Sequence, residues 1–225
     1  MLIPSIDLLG GRIVSLVQGE KKSLEFDDFE PWIQRFEKHP LVHIVDLDAA
    51  MGQGSNRPLV QQLMKRLPRT QIGGGLRTVE QAQEMLKLGA KRVVIGSALF
   101  EDKEINLGFA QRAATNIDPK QLVFAVDAKG GRVAVSGWKV STAVTAVDAM
   151  KTLEPYCGSF VYTHIDNEGM MMGFPTDVAR ELRGATKHQL MLAGGIRSMD
   201  EVAQFDAMEC DCIVGMAIYR GDIQV

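Results

Sequence analysis

The chain has 225 residues, 46% of them hydrophobic and 24% charged, with a net charge of −3; this balance suits one well-packed globular domain and excludes a disordered chain or a strongly basic nucleic-acid-binding surface. No run reaches the roughly 18 apolar residues of a membrane span, and the opening Met1 to Asp7 lacks the basic start and apolar core of a secretion signal, so a cytoplasmic protein without membrane or nucleic-acid partners is expected. The three cysteines, Cys157, Cys210 and Cys212, are an odd number without a secretion signal and are expected to be reduced thiols.

In chain order, short apolar runs alternate with helical patterns, the signature of βαβ units around a parallel sheet. Strands are predicted over residues 2–6, 41–47, 70–73, 91–95, 121–126, 159–164, 189–193 and 211–215, eight in all. The first leads into Asp7. After the second, Asn56, Pro58 and apolar Leu59, Val60, Leu63, Met64 and Leu67 predict a helix that Pro68 closes. After the third, Gly73-Gly74-Gly75-Leu76-Arg77 precedes a helix opened by Thr78 and Gln81 as a capping box, with Gly89 as its stop. The fourth ends in Gly96-Ser97. The fifth leads into Asp127 and the polar loop Val135 to Lys139, which carries Trp138. The sixth ends at Thr163-His164 and the seventh at Gly194-Gly195, before a second capping box of Ser198 and Glu201. The eighth ends in Gly215-Met216, with only about ten residues left, so the closing helix is expected to be short or absent.

Matching segments recur at an offset of 118 to 120 residues. Asp7 to Ile13 matches Asp127 to Val133, Gly74 to Thr78 matches Gly194 to Ser198, Val94 to Phe100 matches Ile213 to Tyr219, and Val45 to Asp48 takes the place of Thr163 to Asp166. Four units per half, doubled, predict a single (β/α)8 barrel over 1–225, built from half-barrels of about 1–117 and 118–225. A doubly wound open sheet does not predict matched loops on the same strand ends.

Residues that end barrel strands point into a common mouth, where catalytic groups are normally found. Glycines let backbone amides approach a ligand, so Gly74, Gly75, Gly96 and Ser97 on one side, and Gly194, Gly195, Gly215 and Met216 on the other, are candidate phosphate loops. A single glycine pair would be read as a tight turn; its repetition points to a small-molecule substrate with a phosphate at each end. Asp7 and Asp127 stand between these loops, and a pair of carboxylates can divide into proton donor and acceptor. Cys210-x-Cys212 has no metal-ligand spacing and is assigned to strand packing, so no metal is expected. The histidines His39, His43, His164 and His188 are scattered, and His164 is expected to pack away from the mouth. Trp138, in a polar loop, offers a ring that could stack on a heterocycle.

At Ile3 to Asp7, Val17 to Glu20, Val45 to Ala49, Gly73 to Arg77, Val126 to Ala128, Gly137-Trp138 and Val214 to Ala217, the chain resembles the HisA family, the ProFAR isomerases of histidine biosynthesis, over essentially its whole length. The resemblance implies an Amadori rearrangement of an aminoaldose to an aminoketose with no cofactor; a monomer is expected. It implies Asp7 as proton acceptor at the sugar C2, Asp127 as the donor that opens the furanose ring, Thr163 as a supporting polar residue, and a substrate contact from Arg77. Two positions depart from the family pattern. Glu168-Gly169-Met170 stands where Asp-Gly-Thr is usual, so Glu168 is a further catalytic candidate. Ser15 replaces a basic residue, whose contact would pass to Lys21 or Lys22. Competing readings are the related cyclase subunit of imidazole glycerol phosphate synthase, which Ser5-Ile6-Asp7 and Gly137-Trp138 argue against, a phosphoribosylanthranilate isomerase activity alone or alongside, and a non-catalytic phosphosugar-binding module.

Overall fold

The computed structural model describes residues 1–225. Eight parallel strands form its centre: β1 (Leu2–Leu9), β2 (Val42–Asp46), β3 (Thr70–Gly73), β4 (Arg92–Ile95), β5 (Leu122–Ala125), β6 (Ser159–Thr163), β7 (Gln189–Ala193) and β8 (Cys210–Val214). Each pairs with the next in sequence, and β8 returns to β1 with Leu2 opposite Cys212 and Pro4 opposite Val214. The sheet is therefore a closed (β/α)8 barrel. A helix follows every strand; the last, Met216–Tyr219, has four residues, as the short remaining chain required.

Strands buried on both faces read as nearly continuous apolar runs, because one face meets the helices and the other the barrel interior. A cluster of 52 buried residues, with Phe36, Phe124, Phe160 and Phe205 among its largest, fills the layer between strands and helices. A second cluster of 7, Ile3, Leu41, Val94, Val123, Val161, Met191 and Ile213, fills the inside of the barrel. Side chains alternate along a strand, so the inward register that starts at Ile3 continues through Ser5 to Asp7, and that of Val123 through Ala125 to Asp127. The interior is thus apolar below and carboxylate-bearing at the mouth.

Three features depart from the sequence reading. β1 does not stop at residue 6: Leu8 and Leu9 continue the ladder against Ile13 and Arg12, so Asp7 lies within a strand, whereas Asp127 lies just past one. The extension is a hairpin with Gly10 and Gly11 at φ +59° and +78°, left-handed values that a tight two-residue turn demands. Arg12–Val17 and Lys21–Phe26 complete this ribbon, and Ala128–Lys129, Arg132–Val135 and Val140–Thr145 form another after β5. Both ribbons mix exposed polar residues with buried Ile13, Val14, Val133 and Ala134, and such short strands between glycine turns do not read as barrel strands. Lys21 and Lys22 sit on the first ribbon away from the cleft, and Lys22 Nζ is 2.8 Å from Glu25 Oε1. Finally, the Thr78–Gln81 capping box is complete, but at the second helix only Ser198 caps; the Glu201 carboxylate accepts instead from the Arg197 amide at 3.0 Å.

The halves use the same contacts. Gly10 N–H donates to Asp48 Oδ2 at 2.7 Å and Gly130 N–H to Asp166 Oδ2 at 2.8 Å. A Cβ on Gly74 would lie 2.2 Å from the Asp46 carbonyl oxygen, and one on Gly194 2.5 Å from that of His164. Both glycines, at φ +93° and +102°, let the loop after one strand lie directly on the backbone of its neighbour.

Candidate active site

Two adjoining cavities open at the C-terminal ends of the strands. Gly74, Gly75, Arg77, Gly96, Ser97 and Asp127 line one. Gly194, Gly195, Gly215 and Met216 line the other. Asp7, His43, Trp138, Thr163 and Glu168 border both. The candidate phosphate loops therefore occupy opposite arms of one cleft, with the candidate catalytic side chains between them.

The loops have unspent donors. The backbone N–H groups of Gly74, Gly75 and Gly96, and of Gly194, Gly195 and Gly215, donate to no group of the protein, and such amides are the material of anion sites. Ser97 Oγ accepts from the Ser136 amide at 2.9 Å, which leaves its own proton available. Arg77 Nη2 donates to the Ala50 carbonyl at 3.0 Å, holding the guanidinium at the rim of the first arm.

Three carboxylates meet in the middle. Asp7 Oδ1 accepts from Ser5 Oγ at 2.9 Å, and the Ser5 carbonyl accepts from Tyr219 Oη at 2.7 Å, so the closing helix braces the strand that carries Asp7. Burial pushes Asp7 up to about 6, with the Ser5 hydrogen bond opposing. Asp127 is also raised by burial, opposed by Trp138 and Thr163. Its Oδ2 accepts from Trp138 Nε1 at 2.8 Å. Thr163 lies close enough to favour the charged form, yet no donor reaches the buried Oδ1 with hydrogen-bond geometry. Glu168 is pushed up to about 8, first by burial and then by the negative charges of Asp7 and Asp127. The first ribbon pins it in place: Gln18 N–H donates to the Glu168 carbonyl at 3.0 Å, and a Cβ on Gly169 would meet the Leu16 carbonyl oxygen at 2.3 Å. Crowded carboxylates cannot all ionise at neutral pH, so at least one proton is held in the cleft.

Trp138 lies at φ +65° with its ring against Gly19, where a Cβ would come within 2.6 Å of Cε3. His164 faces away from the carboxylates, its Nδ1 3.1 Å from Tyr162 Oη. His43 escaped the sequence reading, which took the histidines as scattered, yet it borders both arms and is only 7% exposed. Its signal was the alternation Leu41, His43, Val45, which turns it into the barrel. No group of three or more His, Cys, Asp and Glu residues is arranged to hold a metal ion, and no helix is long and apolar enough to cross a membrane.

These features define a (β/α)8 barrel with a carboxylate-lined cleft between two glycine loop pairs. The family model described as "Histidine biosynthesis protein" matches residues 1–224, and the chain belongs to that family. Curated relatives of Methanocaldococcus jannaschii, 32% identical over 100% of this chain and 96% of the relative, of Methanopyrus kandleri, 35% identical over 99% and 94%, and of Thermus thermophilus, 33% identical over 100% and 96%, are similar to it. Each is named 1-(5-phosphoribosyl)-5-((5-phosphoribosylamino)methylideneamino)imidazole-4-carboxamide isomerase.

Proposed function

We propose that the chain is the ProFAR isomerase named in those relatives, converting an aminoaldose with two phosphoribosyl ends to the aminoketose by acid–base chemistry at the mouth. The observation that carries this reading is the placement of Asp7, Asp127 and Glu168 between two loop pairs whose amides have no partner in the protein. A ligand anchored by a phosphate in each arm lays its central sugar across the carboxylates.

The rearrangement needs a proton delivered to the furanose oxygen while its bond to C1 breaks and the amino nitrogen lone pair forms an iminium. A proton is then removed from C2 to give the enolamine, and a proton moved from its oxygen to C1 yields the aminoketose. Asp7, largely ionised at neutral pH, is the base at C2. The resemblance gave the donor's role to Asp127. The electrostatics favour Glu168, because the Trp138 hydrogen bond supports the charged form of Asp127 whereas every influence on Glu168 retains its proton. Thr163 steadies Asp127, and no metal or redox group has a part. The reading includes a monomer acting in the cytoplasm; the loop pairs and carboxylates that line the cleft all lie within one chain.

The test is turnover of ProFAR by the purified protein, followed by variants. Glu168→Gln should lower kcat by about 10²-fold or more. Asp127→Asn should cost less, and the reverse order would return the donor's role to Asp127. Parallel assay of phosphoribosylanthranilate decides whether a second aminoaldose is accepted.

A further inference from the structure

The barrel interior carries two polar side chains beneath the carboxylates, His43 on β2 and Gln71 on β3, 7% and 0% exposed. Gln71 Nε2 lies 3.0 Å from His43 Nδ1 and 3.4 Å from Met191 Sδ. A thioether sulfur accepts hydrogen bonds and never donates, so the end of the Gln71 amide that touches both partners is its NH2 group. His43 Nδ1 must then accept, and the ring proton sits on Nε2. The arrangement leaves Gln71 Oε1 buried with no hydrogen-bond partner, a cost that a purely structural pair would have avoided by apolar replacement. Nε2 has no partner in the protein and is not among the buried unpartnered atoms, so it opens onto the cleft that His43 lines. His43 stands beside Ser5 in the parallel register of β1 and β2, and Ser5 holds Asp7.

We infer that His43 is a neutral imidazole whose Nε2–H donates to a sugar oxygen at or next to the carbon that Asp7 deprotonates, with Gln71 and Met191 fixing its tautomer. This rests on the proposed isomerase reading. Asp7 withdraws the C2 proton and the electron pair flows into C1=C2 to neutralise the iminium nitrogen. When the enolamine hydroxyl then gives up its proton as C1 takes one, electron density grows on the C2 oxygen, and a fixed donor there stabilises it without itself giving up a proton. Burial lowers the His43 pKa to about 4, so the ring stays neutral across the working range. Gln71 is a positioning residue that acts through His43.

The direct test is NMR of the intact protein labelled uniformly with nitrogen-15, free and saturated with the aminoketose product. The inference expects His43 as the Nε2–H tautomer at neutral pH, with its Nε2 resonance shifting on product binding. Gln71→Leu should convert it to a mixture of tautomers and lower kcat with little change in KM, whereas merely weakened packing would leave the tautomer unchanged. His43→Phe should reduce kcat by about tenfold, the value of one neutral hydrogen bond. An Nδ1–H tautomer in the free protein overturns the inference whatever the variants do. If product moves the amide signals of Gly75 and Gly195 but leaves His43 Nε2 unmoved, the inference on His43 fails alone. If it moves neither, the isomerase reading fails and takes the role of His43 with it.

Discussion

Asp7 and Glu168 are both displaced upward by burial, to about 6 and about 8, but the chemistry requires opposite forms of them. The base works only when Asp7 has lost its proton, so activity rises as pH climbs through its value. The acid works only when Glu168 retains its proton, so activity falls as pH climbs further. A bell-shaped kcat/KM profile with limbs near these two values is expected, and its limbs belong to the coupled cluster rather than to single groups. Glu168→Gln should remove the alkaline limb, and a profile unchanged by that substitution would assign the limb elsewhere. The same displacement acts on stability. A carboxyl whose folded pKa is raised contributes stability that is fully present below its unfolded pKa and is lost as pH rises through the folded one. Glu168→Gln should therefore melt higher than the wild type at pH values above about 8, and the advantage should vanish below the ordinary glutamate range. Thermal melts across pH check the sign.

At the scale of elements, the loops after β3 and β7 rest on glycines that cannot be replaced. Gly74→Ala and Gly194→Ala each drive a Cβ into the backbone of the neighbouring loop, at 2.2 Å and 2.5 Å, and at positive φ. Each should cost about 2 kcal/mol or more, measured by denaturant unfolding, and should weaken phosphate binding in its own arm more than in the other. Thr78→Ala, which removes only a helix cap, should cost about 1 kcal/mol and leave both arms intact. The barrel strands were legible because burial on two faces makes them apolar throughout, and Asp7 and Asp127 stood out as acids ending such runs. The ribbons after β1 and β5 were not, since their buried residues, such as Ile13, Val14 and Val133, sit in short segments broken by charged residues and glycine turns. His43 was missed because an inward-facing polar residue in an apolar strand declares itself only when the barrel closes around it. Glu168 was visible as a motif departure, but its charge state depends on Asp7 and Asp127, distant in the chain, being brought beside it when the barrel closes.

The whole molecule places one equivalent loop pair on each side of the carboxylates, with Asp48 and Asp166 securing equivalent glycine turns. We propose that these halves are copies of one βα unit set and that a bisphosphate bridges them. Crystals soaked in phosphate should show two anions, one at Gly75 and Gly96-Ser97 and one at Gly195 and Gly215-Met216; a single occupied arm would count against the bridging pose. Turnover should persist in excess chelator, and restoration of lost activity by a divalent ion would disprove a metal-free reaction. The most direct measurement of the central claim is ProFAR turnover and product affinity on the wild type and Asp7→Asn side by side. The account predicts isomerisation by the wild type, a loss of at least about 10²-fold in kcat for the variant, and nearly unchanged product affinity because the loop amides carry the anchoring. An Asp7→Asn protein that turns over ProFAR at close to the wild-type rate would contradict it.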